Sequence, residues 1–243
     1  MKNDPPHYTT LPENDKRSRN AAFFDVDGTL TSGRTWRGFL EYFRTNGLRR
    51  GTHLAYMGYH LPLYFLRRLG LISESRFRGA WSADMAWYVR GCTIEAARPI
   101  WEFTIEYIDK FWRDDTRAIL DQHLKDGDLV VLVSSGPLPL LRRTAQELGT
   151  EHVVGTRFEV KDERYTGRSL RPVCTDKFKA SLTKEYLHDK GLSVDFASSF
   201  AYADSIADLP MLEMVGNPVA VYPDASLEET ALHRGWQIYP SAP

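Results

Sequence analysis

Two aspartates spaced one residue apart, Asp25 and Asp27, follow directly on the apolar run Ala21-Ala22-Phe23-Phe24 and lead into Gly28-Thr29-Leu30. Carboxylates this close to a buried run are unfavourable unless a cation or a reaction occupies them. Two more apolar runs end in the same way. Residues 128–133 are rich in Val and Leu and run into Ser134-Ser135-Gly136, and residues 200–203 run into Asp204, with Asp208 four residues on. Lys177, with Lys179 close by, precedes the last of these runs. Several acids gathered without a cation repel one another and cannot all stay ionised. A hard divalent ion resolves this, and carboxylates plus waters suit Mg²⁺. The Ser134 hydroxyl and the Lys177 ammonium then suit phosphate oxygens.

Such groups converge only if their strands are neighbours. Short apolar runs rich in β-branched residues read as buried strands. Adjacent parallel strands lie ~4.8 Å apart, and open α/β sheets bind ligands at their carboxyl ends. Helical patterns over 116–125, 137–148, 176–189, 206–214 and 226–233 alternate with strands near 153–154, 200–203, 219–221 and 236–239, and a hairpin is expected around Lys161-Asp162-Glu163. That alternation predicts a parallel sheet with helices on both faces. One stretch breaks the rhythm. From residue 34 to 113 apolar residues recur at helical spacing, as in Trp36, Phe39, Leu40 and Phe43, and no alternating strand appears. The predicted organisation is a polar leader over 1–20, an α/β core over 21–33 and 114–243, and an inserted all-α module over 34–113.

Each candidate also has an ordinary reading. Asp25 and Asp27 could end a strand in an exposed turn, Ser134-Ser135-Gly136 could be a plain strand-to-helix turn, and Asp204 could be a helix N-cap. Lys177 could be a surface lysine, leaving Lys179 as the alternative. The bulk composition narrows the field. A net charge of -1 across 243 residues gives no electrostatic case for nucleic acid. The two cysteines, Cys92 and Cys174, have no ligand spacing and suit reduced thiols in the cytoplasm. No apolar core of a signal peptide is found near the N-terminus. Residues 54–72 are the most membrane-like, but His60, Pro62, Arg67 and Arg68 interrupt them well short of the ~20 residues a span needs. The histidines lack paired-ligand spacing, which argues against zinc.

Taken together, Asp25-Val-Asp27-Gly-Thr29, Ser134-Ser-Gly, Lys177 and Asp204-Ser-Ile-Ala-Asp208 resemble the motifs of the haloacid dehalogenase (HAD) superfamily of phosphohydrolases. The helical insertion after the first motif resembles the cap of its phosphoserine-phosphatase-like branch. The resemblance implies a Rossmann-like three-layer core and a Mg²⁺-dependent phosphomonoester hydrolase working through an aspartyl-phosphate. It implies Asp25 as nucleophile and Asp27 as acid and base. It implies a metal held by Asp25, the Asp27 carbonyl, Asp204 and Asp208. Phosphate contacts are then expected from Gly28, Thr29, Ser134, Ser135 and Lys177. The chain departs from the branch at Arg34, which stands where phosphoserine phosphatases carry a glutamate facing the substrate ammonium. Arginine there disfavours phosphoserine and favours an anionic substrate group. Ala203 also replaces a glycine that many relatives have before the acid.

The expected substrate is a phosphorylated small molecule or a lipid-like phosphate. The alternatives are a phosphate-binding or phosphotransfer relative, or a lipid-phosphate phosphatase at a membrane surface. Residues 54–69 carry more apolar side chains than a small helical module can bury, so substrate shielding, peripheral membrane contact and self-association all stay open.

Overall fold

The computed structural model describes residues 18–240. The leader expected over 1–20 therefore falls, through residue 17, outside the described residues. A six-stranded sheet in the order β3-β2-β1-β6-β7-β8 forms the centre, and every pair in it is parallel. The strands are β1 (Ala21–Phe24), β2 (Leu129–Pro137), β3 (His152–Thr156), β6 (Phe200–Ala203), β7 (Asn217–Val221) and β8 (Gln237–Tyr239). A separate antiparallel hairpin joins β4 (Phe158–Lys161) to β5 (Arg164–Ser169). All four residues of β1 are buried, as expected of a central strand apolar on both faces.

Alternate side chains of β1 feed two cores. Ala21 and Phe23 join Val131, Val133, Ala201 and Leu187 on one face, while Ala22 and Phe24 join Val130, Leu132, Leu120 and Leu141 on the other. Helices α5 (Asp114–Asp126) and α6 (Leu138–Glu147) contribute to the second face, and α7 (Lys177–Asp189) with the short α8 (Leu209–Leu212) to the first. Helix α9 (Ala225–Arg234) leads into β8. Asp224 caps α9 by accepting from the Leu227 N–H at 2.9 Å, and Gly235 ends it in the left-handed conformation.

Between β1 and α5 the chain is helical: α1 (Thr35–Thr45), α2 (Arg50–Arg68), α3 (Glu74–Asp84) and α4 (Arg98–Asp109), with 3₁₀ turns at Met85–Val89 and Glu95–Ala97. These elements share their own aromatic core around Phe39, Tyr56, Tyr88, Trp101 and Ile108. Each large side chain fully buried there contributes roughly 1.5–3 kcal/mol. Leu140 of α6, Phe158 of β4 and Tyr165 of β5 belong to the same cluster, so the insertion packs on the core and the hairpin rather than standing alone. Among the described residues no helix is long and apolar enough to cross a membrane.

Candidate active site

Strand β1 lies between β2 and β6, where successive connections leave in opposite directions. Ligands bind at such a switch point, beyond the carboxyl ends of the strands. Asp25 comes directly after β1 and is buried, and its N–H donates to the Tyr202 carbonyl of β6 at 2.9 Å. Its two carboxylate oxygens are held separately. Lys179 Nζ donates to Oδ1 at 2.6 Å, and Thr29 Oγ1 donates to Oδ2 at 3.2 Å.

Lys179 also lies 2.8 Å from Asp208 Oδ1, and both side chains are almost wholly buried. Burial opposes its charge, but the two carboxylates outweigh that and hold the ammonium above its ordinary value. Lys177, the expected phosphate lysine, is exposed at the start of α7, with its Nζ 5.3 Å from the Phe178 ring centroid. The correction has a geometric reason. Helix α7 begins at Lys177, and its buried stripe runs through Lys179, Leu182, Thr183 and Leu187, so a residue two places earlier faces solvent.

Asp204 and Asp208 come from the turn after β6. Ser205 caps that turn by accepting from the Ala207 N–H at 3.3 Å, which leaves the Asp204 carboxylate unspent as an N-cap. Asp224 braces the same turn. Its N–H donates to the Asp204 carbonyl at 2.7 Å, and its Oδ2 accepts from Ser205 Oγ at 2.8 Å. One oxygen from each of Asp25, Asp204 and Asp208 lies within 4.8 Å of the others. Burial, reinforced by the charge of Asp25, pushes the Asp204 carboxyl up to about 7. Three crowded hard oxygen donors of this kind fit a divalent cation of the Mg²⁺ type.

Arg34 is a second cation at this cluster. Its guanidinium donates to the Asp27 carbonyl and, at 3.3 Å, to Asp204 Oδ2. Both acceptors belong to the set expected to hold the metal, so Arg34 and a metal ion call on the same oxygens. Gly28 sits beneath them with φ +107, and a Cβ there would lie 1.9 Å from Asp204 Oδ2. Only glycine admits both that backbone and that approach.

Asp27 is oriented by the start of α1. Its Oδ1 accepts from the Thr35 N–H and its Oδ2 from Thr35 Oγ1, both at 2.8 Å. Burial pushes the Asp27 carboxyl up to about 6, against the pull of these bonds. Its carboxylate therefore satisfies a free N–H of the first helical turn, as a cap would, although Arg34 precedes the helix in sequence.

The remaining expected contacts sort differently. The Gly28 N–H donates to the Thr31 carbonyl at 2.7 Å, and Thr29 is wholly buried holding Asp25, so neither faces the cavity. Gly28 makes room and Thr29 orients the carboxylate. The segment Ser134-Ser135-Gly136 is the bulged end of β2, which continues until Pro137 pairs with Thr156. Ser134 is buried there, its Oγ accepting from the Gly136 N–H at 3.2 Å, while Ser135 and Gly136 line the cavity.

That cavity has a volume of about 480 Å³. The acids, Lys179 and Arg34 form its floor, and Trp36, Tyr64, Phe77, Trp81 and Met85 of the helical insertion form an apolar wall. Arg78 of α3 also lines it and is anchored to Asp176 at 2.7 Å. Thr35 and Arg78 are thus site residues that motif reading missed, and neither left a signal in local spacing. Lys179, the alternative to Lys177, is the lysine that meets the acids, and its signal lies in the helical spacing of its buried neighbours.

The haloacid dehalogenase-like hydrolase family model matches residues 22–213. A Mycobacterium tuberculosis protein named phosphoserine phosphatase is 31% identical over 90% of this chain and 70% of its own length. A Neisseria meningitidis protein named histidinol-phosphatase is 28% identical over 90% of this chain and 98% of its own. A Bordetella pertussis protein described as of unknown function has a solved structure with a TM-score of 0.76 at 26% identity, covering 91% of this chain and 98% of that one. With the model spanning the core and the insertion, and with relatives named as phosphatases, the chain belongs to the haloacid dehalogenase-like hydrolase family, as a phosphatase.

Proposed function

We propose that the chain is a Mg²⁺-dependent phosphomonoester hydrolase that works through an aspartyl-phosphate on Asp25. The observation that carries this reading is the convergence of Asp25, Lys179, Asp204 and Asp208 at the end of β1. Asp25, the backbone carbonyl of Asp27, Asp204 and Asp208 would hold the cation, which when bound offsets negative charge building on the phosphoryl group.

A carboxylate oxygen of Asp25 attacks phosphorus in line, and the bond from phosphorus to the ester oxygen breaks. Asp27, whose raised pKa keeps a protonated fraction near neutral pH, gives its proton to the leaving oxygen. Water then attacks the phosphorus of the acyl phosphate. Asp27 takes the proton from that water, the bond from phosphorus to Asp25 breaks, and inorganic phosphate leaves. Lys179 orients the attacking carboxylate through its bond to Asp25 Oδ1. Ser135 and the backbone of Gly136, which line the cavity, would meet the phosphoryl oxygens, with Ser134 buried behind them, and Thr35 holds Asp27 in register.

The helical insertion over 34–113 would act as a cap on the core formed by 21–33 and 114–243, excluding water from the first step. The aromatic wall favours an apolar leaving group, and Arg34 on the floor with Arg78 beside it disfavours an ammonium. We therefore assign a substrate other than phosphoserine, although a relative bears that name.

The test is phosphate release with Mg²⁺ from a panel of amino-acid, sugar, nucleotide, aryl and lysolipid phosphates. Asp25→Asn should abolish release from every active substrate. No release from any of them, or release that survives Asp25→Asn, would overturn the reading.

A further inference from the structure

Helix α2 is amphipathic in the wrong sense for a buried element. Its inner face carries Tyr56 and His60, both buried, and Tyr56 donates its hydroxyl to the Trp81 carbonyl at 2.9 Å. The opposite face carries Leu54, Leu61 and Phe65, with Leu69 at the C-cap continuing the spacing, exposed by 73%, 55%, 53% and 72%. Gly51 and Gly58 continue the same stripe with open space around them. From Leu54 to Leu69 the stripe is roughly 22 Å long at the helical rise. A contiguous exposed patch of that kind marks an interaction site.

The charge carried by the helix itself and by the chain on either side of it is of one sign. Between Tyr42 and Ser73 the sequence has no Asp or Glu, but it has Arg44, Arg49, Arg50, Arg67 and Arg68. Arg67 pairs with Glu74 beyond the helix end. Arg50 and Arg68, which border the stripe at opposite ends of the helix, make no ion pair among the described residues.

We propose that α2 docks the protein on an anionic lipid surface, lying in the interface with Leu54, Leu61, Phe65 and Leu69 among the acyl chains and Arg50 and Arg68 at the headgroups. An apolar stripe flanked by arginines on a helix without acids is the pattern of an interfacial helix. Charge also selects against a second copy of the chain. An antiparallel pairing of two α2 stripes would bring Arg50 of one copy beside Arg67 and Arg68 of the other, whereas a negative surface complements both ends together. The surface is separate from the acids at the end of β1, and the proposal does not depend on the reaction there.

The experiment is vesicle co-sedimentation of the full chain with phosphatidylcholine alone and with phosphatidylcholine carrying about one-third phosphatidylglycerol. Wild type should sediment with the anionic vesicles and stay in solution with the neutral ones. Leu61→Asp/Phe65→Asp, at two exposed positions, should lose at least about tenfold in binding while keeping its thermal midpoint. Arg50→Gln and Arg68→Gln should each weaken binding about fivefold. Wild type that ignores anionic vesicles overturns the proposal, as does a Leu61→Asp/Phe65→Asp protein that sediments like wild type. So does light scattering that shows a dimer dispersed by those substitutions while no vesicle binding is seen.

Discussion

Replacing Lys179 with methionine keeps the length of the side chain and removes its charge from between Asp25 Oδ1 and Asp208 Oδ1. At an effective dielectric of ~20 each contact is worth about 6 kcal/mol of gross attraction at these distances. Most of that is offset by taking three charges out of water, and breaking such a buried pair from one side leaves a net loss of about 3–5 kcal/mol. The loss is large here because Asp204 remains beside two acids that have lost their internal cation. Turnover should fall by at least about 10²-fold, since the group that aims the Asp25 carboxylate is gone. Lys177→Met is the matched control. Its side chain is exposed, so stability should stay within about 0.5 kcal/mol of wild type. The assay is urea unfolding followed by tryptophan fluorescence in metal-free buffer, with p-nitrophenyl phosphate turnover measured in Mg²⁺. A Lys179→Met protein within about 1 kcal/mol of wild type and with turnover intact would refute the reasoning. So would a Lys177→Met protein that carries the loss instead.

Two further substitutions probe the residues that hold Asp27 and Asp204. Thr35→Val removes the hydroxyl that donates to Asp27 Oδ2 but keeps the backbone N–H on Oδ1. It should lower kcat about tenfold with little change in KM and reduce stability by about 1 kcal/mol, and steady-state kinetics with a denaturation curve will show whether it does. Arg34→Met frees the Asp27 carbonyl and Asp204 Oδ2 from the guanidinium. Calorimetry should find Mg²⁺ bound up to about fivefold more tightly, and unchanged or weaker binding would show that Arg34 and the ion do not compete.

Two strand ends were legible because a buried parallel strand announces itself as a continuous apolar run, and its first polar residue marks where the run stops. Asp25 after Phe24 and Asp204 after Ala203 follow that rule, whereas β2 runs on past Ser134 to Pro137. The helical insertion was legible from aromatic spacing at 3.6 residues, as in Phe39 and Phe43. What spacing cannot report is which way a helix is turned once it docks. Lys177 and Lys179 differ by two residues, roughly half a turn, and the choice between them rests on the line of Leu182, Thr183 and Leu187. Thr35 and Arg78 lie in the insertion and meet the core through the path of the chain, which no local pattern encodes. Likewise, Ser134-Ser135-Gly136 looked like a turn, and only pairing of Pro137 with Thr156 shows it to be the bulged end of a strand.

The position of β1 at the centre of the sheet sets when the protein can become reactive. Lys179 lies 154 residues from Asp25 in sequence, and Asp204 lies 170 residues from Arg34. At ribosomal speeds of ~5–20 residues per second, Asp25 emerges roughly 8–30 s before Lys179. In that interval α1 to α4 can gather their aromatic rings through short-range contacts, which form early because little chain entropy opposes them. β1 must wait for β2 and β6, and Asp25 meanwhile has neither Lys179 nor Asp208 beside it. A nascent chain therefore carries Asp25 with only Thr29 near enough in sequence to hold it, and the insertion lacks Leu140, Phe158 and Tyr165, which complete its aromatic cluster. Reactivity is the last property the chain acquires.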